Sequence, residues 1–375
     1  MVVDGHVTRP SPSGESLGAR SGAVEDKAMK GNNAVKVFVT GSDGYVGCKL
    51  VDYLVQKGYI VRGLDTFYYE DCLFGEPGRA VPTARKDVRT LTLDDLRGYD
   101  AVIHLAALSN DPVGSLDPHL TMEINYLGSS RVAELAKAAG VRRFLYASSC
   151  SLYGKSSEDW VDETSPMAPL TAYAQSKVMT EGALQKLADR DFSPVILRCA
   201  TVYGLSHKLR VDLVVNNLAA WGVTRNEVRI LSDGTPWRPL IHVEDLARAY
   251  EYFLQAPLES VHNRAFNVGF DEQNYQVRTI AESVAEALPG VEVTFSPQPD
   301  KDARSYRVTF DKFLSLSGLQ PQWNLQSSVR NIVGEYQRQK LTWENFSGRK
   351  YVRLNQIRHL MASGLIDDRL LWRSA

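Results

Sequence analysis

From Val35 onward, short apolar runs alternate with longer segments in which apolar residues recur every three to four positions. Short apolar runs are typical of buried strands, and the longer periodic segments are typical of amphipathic helices. The pattern predicts strands at 35–39, 60–64, 101–105, 143–147 and 195–198, and helices near 46–56, 120–139 and 172–188. Strands and helices that alternate in this order form a parallel sheet covered on both faces. We therefore predict a doubly wound α/β fold.

The pattern changes after about residue 204, where helices are predicted around 211–221, 243–254 and 277–288 and short strands at 229–231, 266–268 and 292–295. We interpret 35–204 as the main α/β domain, to which later segments return, and 205–345 as a smaller mixed α/β lobe for a substrate. The segment 351–371 has helical spacing, so 346–375 is predicted to be a helical tail. Residues 1–34 are rich in Gly, Ser, Pro and charge without periodicity, which indicates a disordered extension.

The composition narrows the classes of function. Hydrophobic residues make up 44% and charged residues 23% of the chain, as in soluble globular proteins. Lys and Arg total 43 against 44 Asp and Glu, so the charge balance does not favour nucleic acid or an anionic membrane as a partner. The four cysteines lack the spacing of a zinc site or a disulfide framework, and no apolar run approaches the roughly 18 residues of a membrane span. We expect a cytoplasmic protein without a bound metal.

The turn between the first predicted strand and the first predicted helix reads T-G-S-D-G-Y-V-G at positions 40–47. Glycines there let the backbone approach a ligand closely, so that a pyrophosphate can lie at the N-terminus of the helix. An ordinary strand-to-helix turn is the alternative. Asp65 favours a dinucleotide, because a carboxylate at the end of the second strand can accept both ribose hydroxyls of an adenosine. No Lys or Arg occurs in 66–71, which favours NAD over NADP; for Asp65 itself, a surface turn is the alternative.

A Tyr and a Lys four positions apart share a helical face, where the ammonium can stabilise a phenolate. Four such pairs occur, beginning at Tyr45, Tyr53, Tyr173 and Tyr336. The first belongs to the glycine turn, the second to the outer end of the same helix, and the last follows the predicted sheet by a long interval. The pair Tyr173/Lys177 opens a helix between two predicted strands and is the candidate base. Because a phenol titrates near pH 10, activity at neutral pH requires about 4 kcal/mol of charge stabilisation.

Further motifs accompany the glycine turn and the Tyr173/Lys177 pair. They are D-V-R at 87–89, H-L-A-A at 104–107, N-Y at 125–126, S-S at 148–149 and L-Y-G at 152–154. In this order they resemble the extended short-chain dehydrogenase/reductases, in particular the nucleotide-sugar epimerases and dehydratases, over most of 35–340. The resemblance implies a Rossmann-type NAD-binding domain and a nucleotide-diphosphate sugar as the substrate. It also implies a homodimer formed through the helices at 120–139 and 172–188.

The resemblance implies roles for individual residues. Tyr173 would remove the sugar hydroxyl proton as hydride leaves, Lys177 would hold the phenolate, and Ser149 would orient the reacting oxygen. Asp87 and Val88 would meet the adenine, and Asn125 would brace the catalytic lysine, with a structural role at a helix kink as its alternative. Cofactor contacts are implied for Gly41, Asp43, Gly44, Tyr45, Val46, Gly47, Asp65, Asp87, Val88, Leu105, Ala106, Ala107, Asn125, Tyr173 and Lys177. Substrate contacts are implied for Ser109, Ser149, Ser151, Thr201, Asn217, Arg238 and Arg304, the two arginines as phosphate clamps or, alternatively, as solvated loop residues.

The positions after Ser149 narrow the reaction. By the resemblance, 4,6-dehydratases carry Asp-Glu there and decarboxylases keep the Glu, whereas this chain has Cys150 and Ser151. We therefore expect no elimination and assign Cys150 no catalytic role. The leading hypothesis is an NAD-dependent nucleotide-sugar epimerase acting at C4 through a transient 4-keto intermediate. Two alternatives stay open, a nucleotide-sugar ketoreductase or oxidoreductase with net hydride transfer, and a non-catalytic NAD-binding regulatory protein.

Overall fold

The computed structural model describes residues 34–109, 111–114, 116–296 and 305–373. The strands in this part of the chain are β1 (Lys36–Thr40), β2 (Ile60–Asp65), β3 (Thr83–Arg85), β4 (Ala101–His104), β5 (Arg143–Ser149), β6 (Lys155–Val161), β7 (Ser193–Cys199), β8 (Thr201–Tyr203), β9 (Glu227–Ile230), β10 (Trp237–His242), β11 (Arg264–Val268), β12 (Asn274–Gln276), β13 (Glu292–Phe295) and β14 (Ser305–Val308). Seven of them form one sheet in the order β11-β7-β5-β4-β1-β2-β3, with every neighbouring pair parallel.

The α-helices in the described residues are α1 (Tyr45–Gln56), α2 (Asp111–Gly114), α3 (Pro118–Met122), α4 (Ser129–Ala138), α5 (Ala172–Leu187), α6 (Val214–Arg225), α7 (Val243–Gln255), α8 (Leu258–Val261), α9 (Val277–Glu286), α10 (Asp311–Ser317), α11 (Leu325–Arg338), α12 (Trp343–Ser347) and α13 (Arg353–Ala362). Helices pack on both faces of the large sheet, so the predicted doubly wound α/β fold is confirmed. None of these helices is long and apolar enough to cross a bilayer.

Side chains alternate across the strands of the large sheet and build one core on each face. On β1, Val37 and Val39 belong to one cluster of buried residues and Phe38 to the other. The first cluster includes α1 and α7 side chains, and the second includes side chains of α4 and α13. Because both faces are covered, the central strands are apolar on both sides, which explains the continuous apolar runs in the sequence.

The described residues also form three smaller sheets, β12-β10-β8, β13-β9 and β14-β6, whose strands come from the C-terminal half except for β6. A third buried cluster joins α6, α9 and α11 in this lobe. The chain also returns to the large sheet, because β11 forms its edge beside β7. The strands of the lobe are short and partly polar, which is why the sequence pattern predicted few of them.

Two predicted helices differ from the structure. The helix predicted at 120–139 is interrupted by a π-helical turn, Glu123–Gly128, between α3 and α4. The helix predicted at 351–371 is confined to α13, because Gly364 takes a φ of +68° and the chain turns back. Beyond it, Ile366 and Trp372 form an antiparallel bridge.

Candidate active site

The glycine turn joins β1 to α1 and packs against the turn after β4. Gly41 has a φ of +73°, and a Cβ there would lie 2.8 Å from the backbone nitrogen of Ala106. A Cβ on Gly47 would lie 2.0 Å from the carbonyl oxygen of Gly41. Gly44 is the N-cap of α1 and places no side chain over its first turn. The first N–H groups of α1, which have no partner within the helix, thus lie at a surface suited to a pyrophosphate.

The side chain of Tyr45 is bonded within the protein. Its hydroxyl donates to the carbonyl oxygen of Gly204 at 2.7 Å and accepts from Nδ2 of Asn216 at 3.2 Å. The ring is buried, so the phenol ties the glycine turn to the C-terminal lobe. The phenol already has its partners, and cofactor contacts by Tyr45 and Val46 stay predictions.

Asp65 ends β2 beside the glycine turn. Its Oδ2 accepts from the backbone nitrogen of Asp43 at 3.0 Å, and its Oδ1 accepts from that of Phe67 at 2.9 Å. Burial raises the pKa of Asp65 to about 6, against the lowering effect of these hydrogen bonds. Each oxygen keeps a lone pair, so the carboxylate can accept the two ribose hydroxyls of an adenosine. The carboxylate of Asp43 forms an ion pair with Lys208, whose Nζ lies 3.1 Å from it.

The predicted adenine contacts lie after β3, at the edge of the sheet. Asp87 accepts three hydrogen bonds from Arg89, from its backbone nitrogen at 2.8 Å and from Nε and Nη2, each at 2.9 Å. The carboxylate is thus an anchor for Arg89. Val88 is buried and packs in the core cluster that contains Tyr68 and Leu120, so an adenine at this position meets an apolar wall.

The turn after β4, which contains Leu105, Ala106 and Ala107, is held from two sides. The backbone nitrogen of Ala106 donates to Oγ1 of Thr40 at 3.3 Å. Asn125 accepts from the backbone nitrogen of Leu108 at 2.8 Å and donates to its carbonyl oxygen at 3.1 Å. Both ends of the Asn125 amide, which lies in the π-helical turn, are thus bonded to the Leu108 backbone. The role of Asn125 as a brace for the catalytic lysine stays a prediction, with the structural role at a helix kink as its alternative.

Tyr173, the candidate base, and its partner Lys177 lie at the start of α5. Thr171 caps this helix by accepting from the backbone nitrogen of Ala174 at 3.2 Å. Lys177 is buried, and its Nζ donates to the carbonyl oxygen of Ala147 at 2.6 Å. The same Nζ lies 5.4 Å from the ring centroid of Tyr173 and 4.8 Å from that of Tyr146. Burial lowers the pKa of Lys177 to about 8, so the ammonium is poorly solvated and strongly attracted to a phenolate on Tyr173.

Ser149 ends β5 and begins the 3₁₀ turn that follows it. Its Oγ accepts from the backbone nitrogen of Ser151 at 3.1 Å, which leaves its own proton for a ligand oxygen. The Oγ of Ser151 is buried without a hydrogen-bond partner among the described residues. Cys150 points the other way, into the core, where its thiol donates to the carbonyl oxygen of Arg198 at 3.2 Å. Burial raises the pKa of Cys150 well above its usual value, so this thiol is not reactive.

Sequence reasoning missed a buried ion pair, Glu181 with Arg198, that joins α5 to β7. Glu181 lies one turn after Lys177 on the same face, and its Oε2 is 2.8 Å from Nη2 of Arg198 on β7. Ser148 also donates to Glu181, and Nη1 of Arg198 donates to the hydroxyl of Tyr153 at 3.0 Å. The signal was available in the sequence, because residues 173, 177 and 181 follow each other at four-residue spacing.

The predicted substrate contacts are distributed over the C-terminal lobe and the β4 turn. Thr201 begins β8, and Nδ2 of Asn217 donates to the carbonyl oxygen of Val211 at 2.7 Å. Arg238 lies on β10, and its Nη1 donates to the carbonyl oxygen of Trp237 at 2.9 Å. Ser109 accepts from Nη1 of Arg210 at 3.3 Å. Arg304 lies outside the described residues.

The residues present fit NAD. The glycine turn has room for a pyrophosphate, and the Asp65 carboxylate would repel a 2′-phosphate. Val88 offers an apolar surface at the predicted adenine position. Tyr173 and Lys177 lie at the start of α5, next to the end of β5. The site therefore combines a turn suited to a dinucleotide with a phenol beside a buried ammonium.

Comparison with known proteins agrees with this geometry. The model of the NAD dependent epimerase/dehydratase family matches residues 37–269. UDP-glucuronic acid decarboxylase 1 of Arabidopsis thaliana is 26% identical over 92% of this chain and 80% of its own length. UDP-glucose 4-epimerase of Mycolicibacterium smegmatis is 28% identical over 80% of this chain and 97% of its own length.

A solved structure of a nucleotide-sugar epimerase has a similar fold. The UDP-glucose 4-epimerase of Thermus thermophilus in complex with NAD has a TM-score of 0.69 and 25% identity over 81% of this chain and 99% of its own. The fold, the site and these matches agree on the cofactor, which is NAD. The chain belongs to the NAD-dependent epimerase/dehydratase family, among the extended short-chain dehydrogenase/reductases that act on nucleotide sugars.

Proposed function

We propose that this protein is a nucleotide-sugar 4-epimerase that acts through a transient 4-keto sugar. The observation that carries the proposal is the buried Lys177 ammonium beside Tyr173, with Nζ 5.4 Å from the ring centroid. A pair of this kind moves a proton at a sugar hydroxyl and needs no further acid or base for oxidation and reduction at the same carbon.

The proposed roles follow from the placement of the side chains. Bound NAD supplies the hydride acceptor and, after the sugar is oxidised, the hydride donor. Tyr173 takes the hydroxyl proton from the sugar and later returns it to the keto oxygen. Lys177 lowers the cost of the phenolate, since its charge is buried and hydrogen-bonded to the Ala147 carbonyl oxygen. Ser149 donates to the same sugar oxygen and holds it in line with Tyr173.

The residues after Ser149 support epimerisation over elimination. Removing water from a keto sugar needs an acid and a base beside the sugar ring. Here Cys150 is buried in the core with a raised pKa, and Ser151 carries only a hydroxyl. The substrate class is proposed from the curated relatives, whose names specify UDP-glucose and UDP-glucuronic acid.

The test is to denature the purified protein, assay the released cofactor, and incubate the native protein with a panel of UDP-, dTDP- and GDP-sugars without added NAD. A 4-epimer detected by NMR, with NAD recovered from the protein, is the expected outcome. Cofactor-free protein that consumes one NADH per keto sugar would establish a reductase instead. A protein that binds NAD and converts none of the panel would favour the regulatory alternative.

We also propose a homodimer that uses the helices around α4 and α5. Leu127, in the π-helical turn, is 57% exposed, and Met179 on α5 is 43% exposed. These apolar side chains lie on neighbouring helices and would be buried by a second copy. Light scattering on the purified protein tests this, and Leu127→Glu with Met179→Glu should yield a monomer.

A further inference from the structure

Three cations with little solvent exposure lie near the glycine turn, and none of them belongs to a motif identified in the sequence. They are Lys208 and Arg210, on the segment that links β8 to α6, and Arg353, the first residue of α13. The side chains of Lys208 and Arg210 are 4% and 13% exposed, and Arg353 is 6% exposed. Cations with so little exposure require an explanation, because desolvation penalises each of them.

Two of the cations have close partners. Nζ of Lys208 contacts the Asp43 carboxylate at 3.1 Å and donates to the carbonyl oxygens of Tyr69 at 3.0 Å and Glu70 at 2.9 Å. Arg210 is bound by Asp212, with Nη2 to Oδ2 at 2.6 Å and Nε to Oδ1 at 3.1 Å. The remaining Arg210 contacts, both at 3.3 Å, go to the hydroxyl and carbonyl oxygens of Ser109.

Among the described residues, no carboxylate lies within ion-pair distance of Arg353. Its Nη2 donates to the carbonyl oxygen of Lys208 at 2.8 Å, and its guanidinium stacks on the ring of Tyr69 at 3.9 Å. Its Nη1 is buried without a hydrogen-bond partner among the described residues. Burial, together with the nearby charge of Arg210, lowers the pKa of Arg353. A buried guanidinium nitrogen without an acceptor is a donor prepared for an anion.

The position of Arg353 identifies the anion. The charges of Asp43 and Arg210 both interact with it. Asp43 belongs to the glycine turn, Tyr69 follows β2, and Ser109, which Arg210 contacts, follows β4. These three segments leave the carboxyl ends of neighbouring strands β2, β1 and β4, where the pyrophosphate of a dinucleotide lies in this type of fold.

The rest of the C-terminal segment contacts the segments that follow β2 and β3, where the adenosine is predicted to lie. Nε1 of Trp372 donates to the carbonyl oxygen of Thr66 at 2.6 Å, next to Asp65. Nη2 of Arg89 donates to the carbonyl oxygen of Arg369 at 2.8 Å, next to Val88. Nε2 of Gln356 on α13 donates to the carbonyl oxygen of Tyr68 at 2.9 Å. This segment lies well beyond residue 269, where the match to the family model ends.

We propose that residues 351–373 form a wall of the NAD site and that Arg353, assisted by Arg210, binds the diphosphate of the cofactor. A nucleotide sugar also carries a diphosphate. However, Arg353 stacks on Tyr69 after β2 and is linked through Lys208 to Asp43 of the glycine turn, and these two segments lie on the cofactor side. The inference rests on NAD as the cofactor and not on the proposed epimerisation.

The experiment compares ligands with and without phosphate on cofactor-free protein by calorimetry. Arg353→Gln is expected to weaken ADP-ribose binding about 10- to 100-fold, the loss typical of a charge-assisted hydrogen bond, and to leave adenosine binding within about twofold. Arg353→Lys, which keeps the charge, should recover part of the affinity. Arg358→Gln, at an exposed position of the same helix, is the matched control and should bind both ligands as the wild type does.

Three results would overturn the inference. Unchanged ADP-ribose affinity in Arg353→Gln would show that the guanidinium does not face the diphosphate. An equal loss for adenosine and ADP-ribose would show that Arg353 only holds the segment in place. Weaker UDP binding to the NAD-loaded variant, with ADP-ribose binding intact, would move the site to the substrate. If Arg353→Gln does not fold, as judged by its melting temperature, the same comparison is made with Arg353→Lys.

Discussion

Replacing Lys177 with methionine should stabilise the fold at neutral pH while it abolishes turnover. The folded-state pKa of Lys177 is about 8, below the ordinary 10.5, because the side chain is buried. Each unit of pKa is worth about 1.4 kcal/mol, so keeping this ammonium charged in the folded protein costs about 3 kcal/mol at pH 7. Methionine removes that cost and fills a similar volume. It also loses the hydrogen bond to the Ala147 carbonyl oxygen, which offsets about 1.5 kcal/mol. The expected net gain is about 1 to 2 kcal/mol.

The sign of the effect depends on pH. Since the folded-state pKa is depressed and the charged form is the cation, the penalty is fully present below pH 8. It is lost as the pH rises from about 8 to 10.5, where the ammonium is deprotonated in both states. The stability advantage of Lys177→Met should therefore shrink across this range and disappear near its upper end.

Urea unfolding of cofactor-free protein at pH 7 and pH 10 measures this directly, because bound NAD would add stability by mass action. Lys186→Met is the matched control, since Lys186 is an exposed residue of the same helix and should change the free energy of unfolding by less than about 0.5 kcal/mol. A Lys177→Met protein that is less stable than the wild type at pH 7, or whose advantage does not depend on pH, would refute the argument that the buried charge is costly.

Further predictions concern the base, the cofactor site and the support beneath α5. Tyr173→Phe should retain bound NAD and lose turnover by a factor of about 100 or more; wild-type turnover in this variant would contradict the role of the phenol. NAD affinity should fall as the pH drops through about 6, where Asp65 becomes protonated, and titration of binding against pH should show no such step in Asp65→Asn. Glu181→Leu should lower the free energy of unfolding by about 3 to 5 kcal/mol, because it leaves Arg198 buried without its carboxylate; a loss below about 1 kcal/mol in urea unfolding would mean that the pair is not structurally important.

Much of the cofactor side could be predicted from the sequence because its chemistry is local. The glycine turn needs residues without Cβ at 41 and 47, and those positions are six residues apart on one turn. The large sheet could be recognised from its apolar runs, since strands covered on both faces have no polar side. The interruption of the helix at Glu123–Gly128 was missed, because Asn125 in this turn bonds to the backbone of Leu108, a residue on another segment.

The pair Tyr173/Lys177 was identifiable from its spacing and motifs, yet its electrostatics depend on the tertiary structure. Four-residue spacing places the two side chains on one face of a helix whatever surrounds them. Only the packing of α5 against β5 buries the ammonium and brings it to the Ala147 carbonyl oxygen. The depressed pKa of Lys177 follows from that burial.

The sequence by itself determined the α/β fold and NAD as the cofactor, and it proposed the candidate base, because each depends on patterns of residues close together in the chain. The tertiary structure decided which cations surround the diphosphate position. Lys208, Arg210 and Arg353 meet there although 143 residues separate the last two in the numbering. No periodicity or motif can encode such a meeting, since long-range packing of the C-terminal segment on the ends of β2 and β3 creates it.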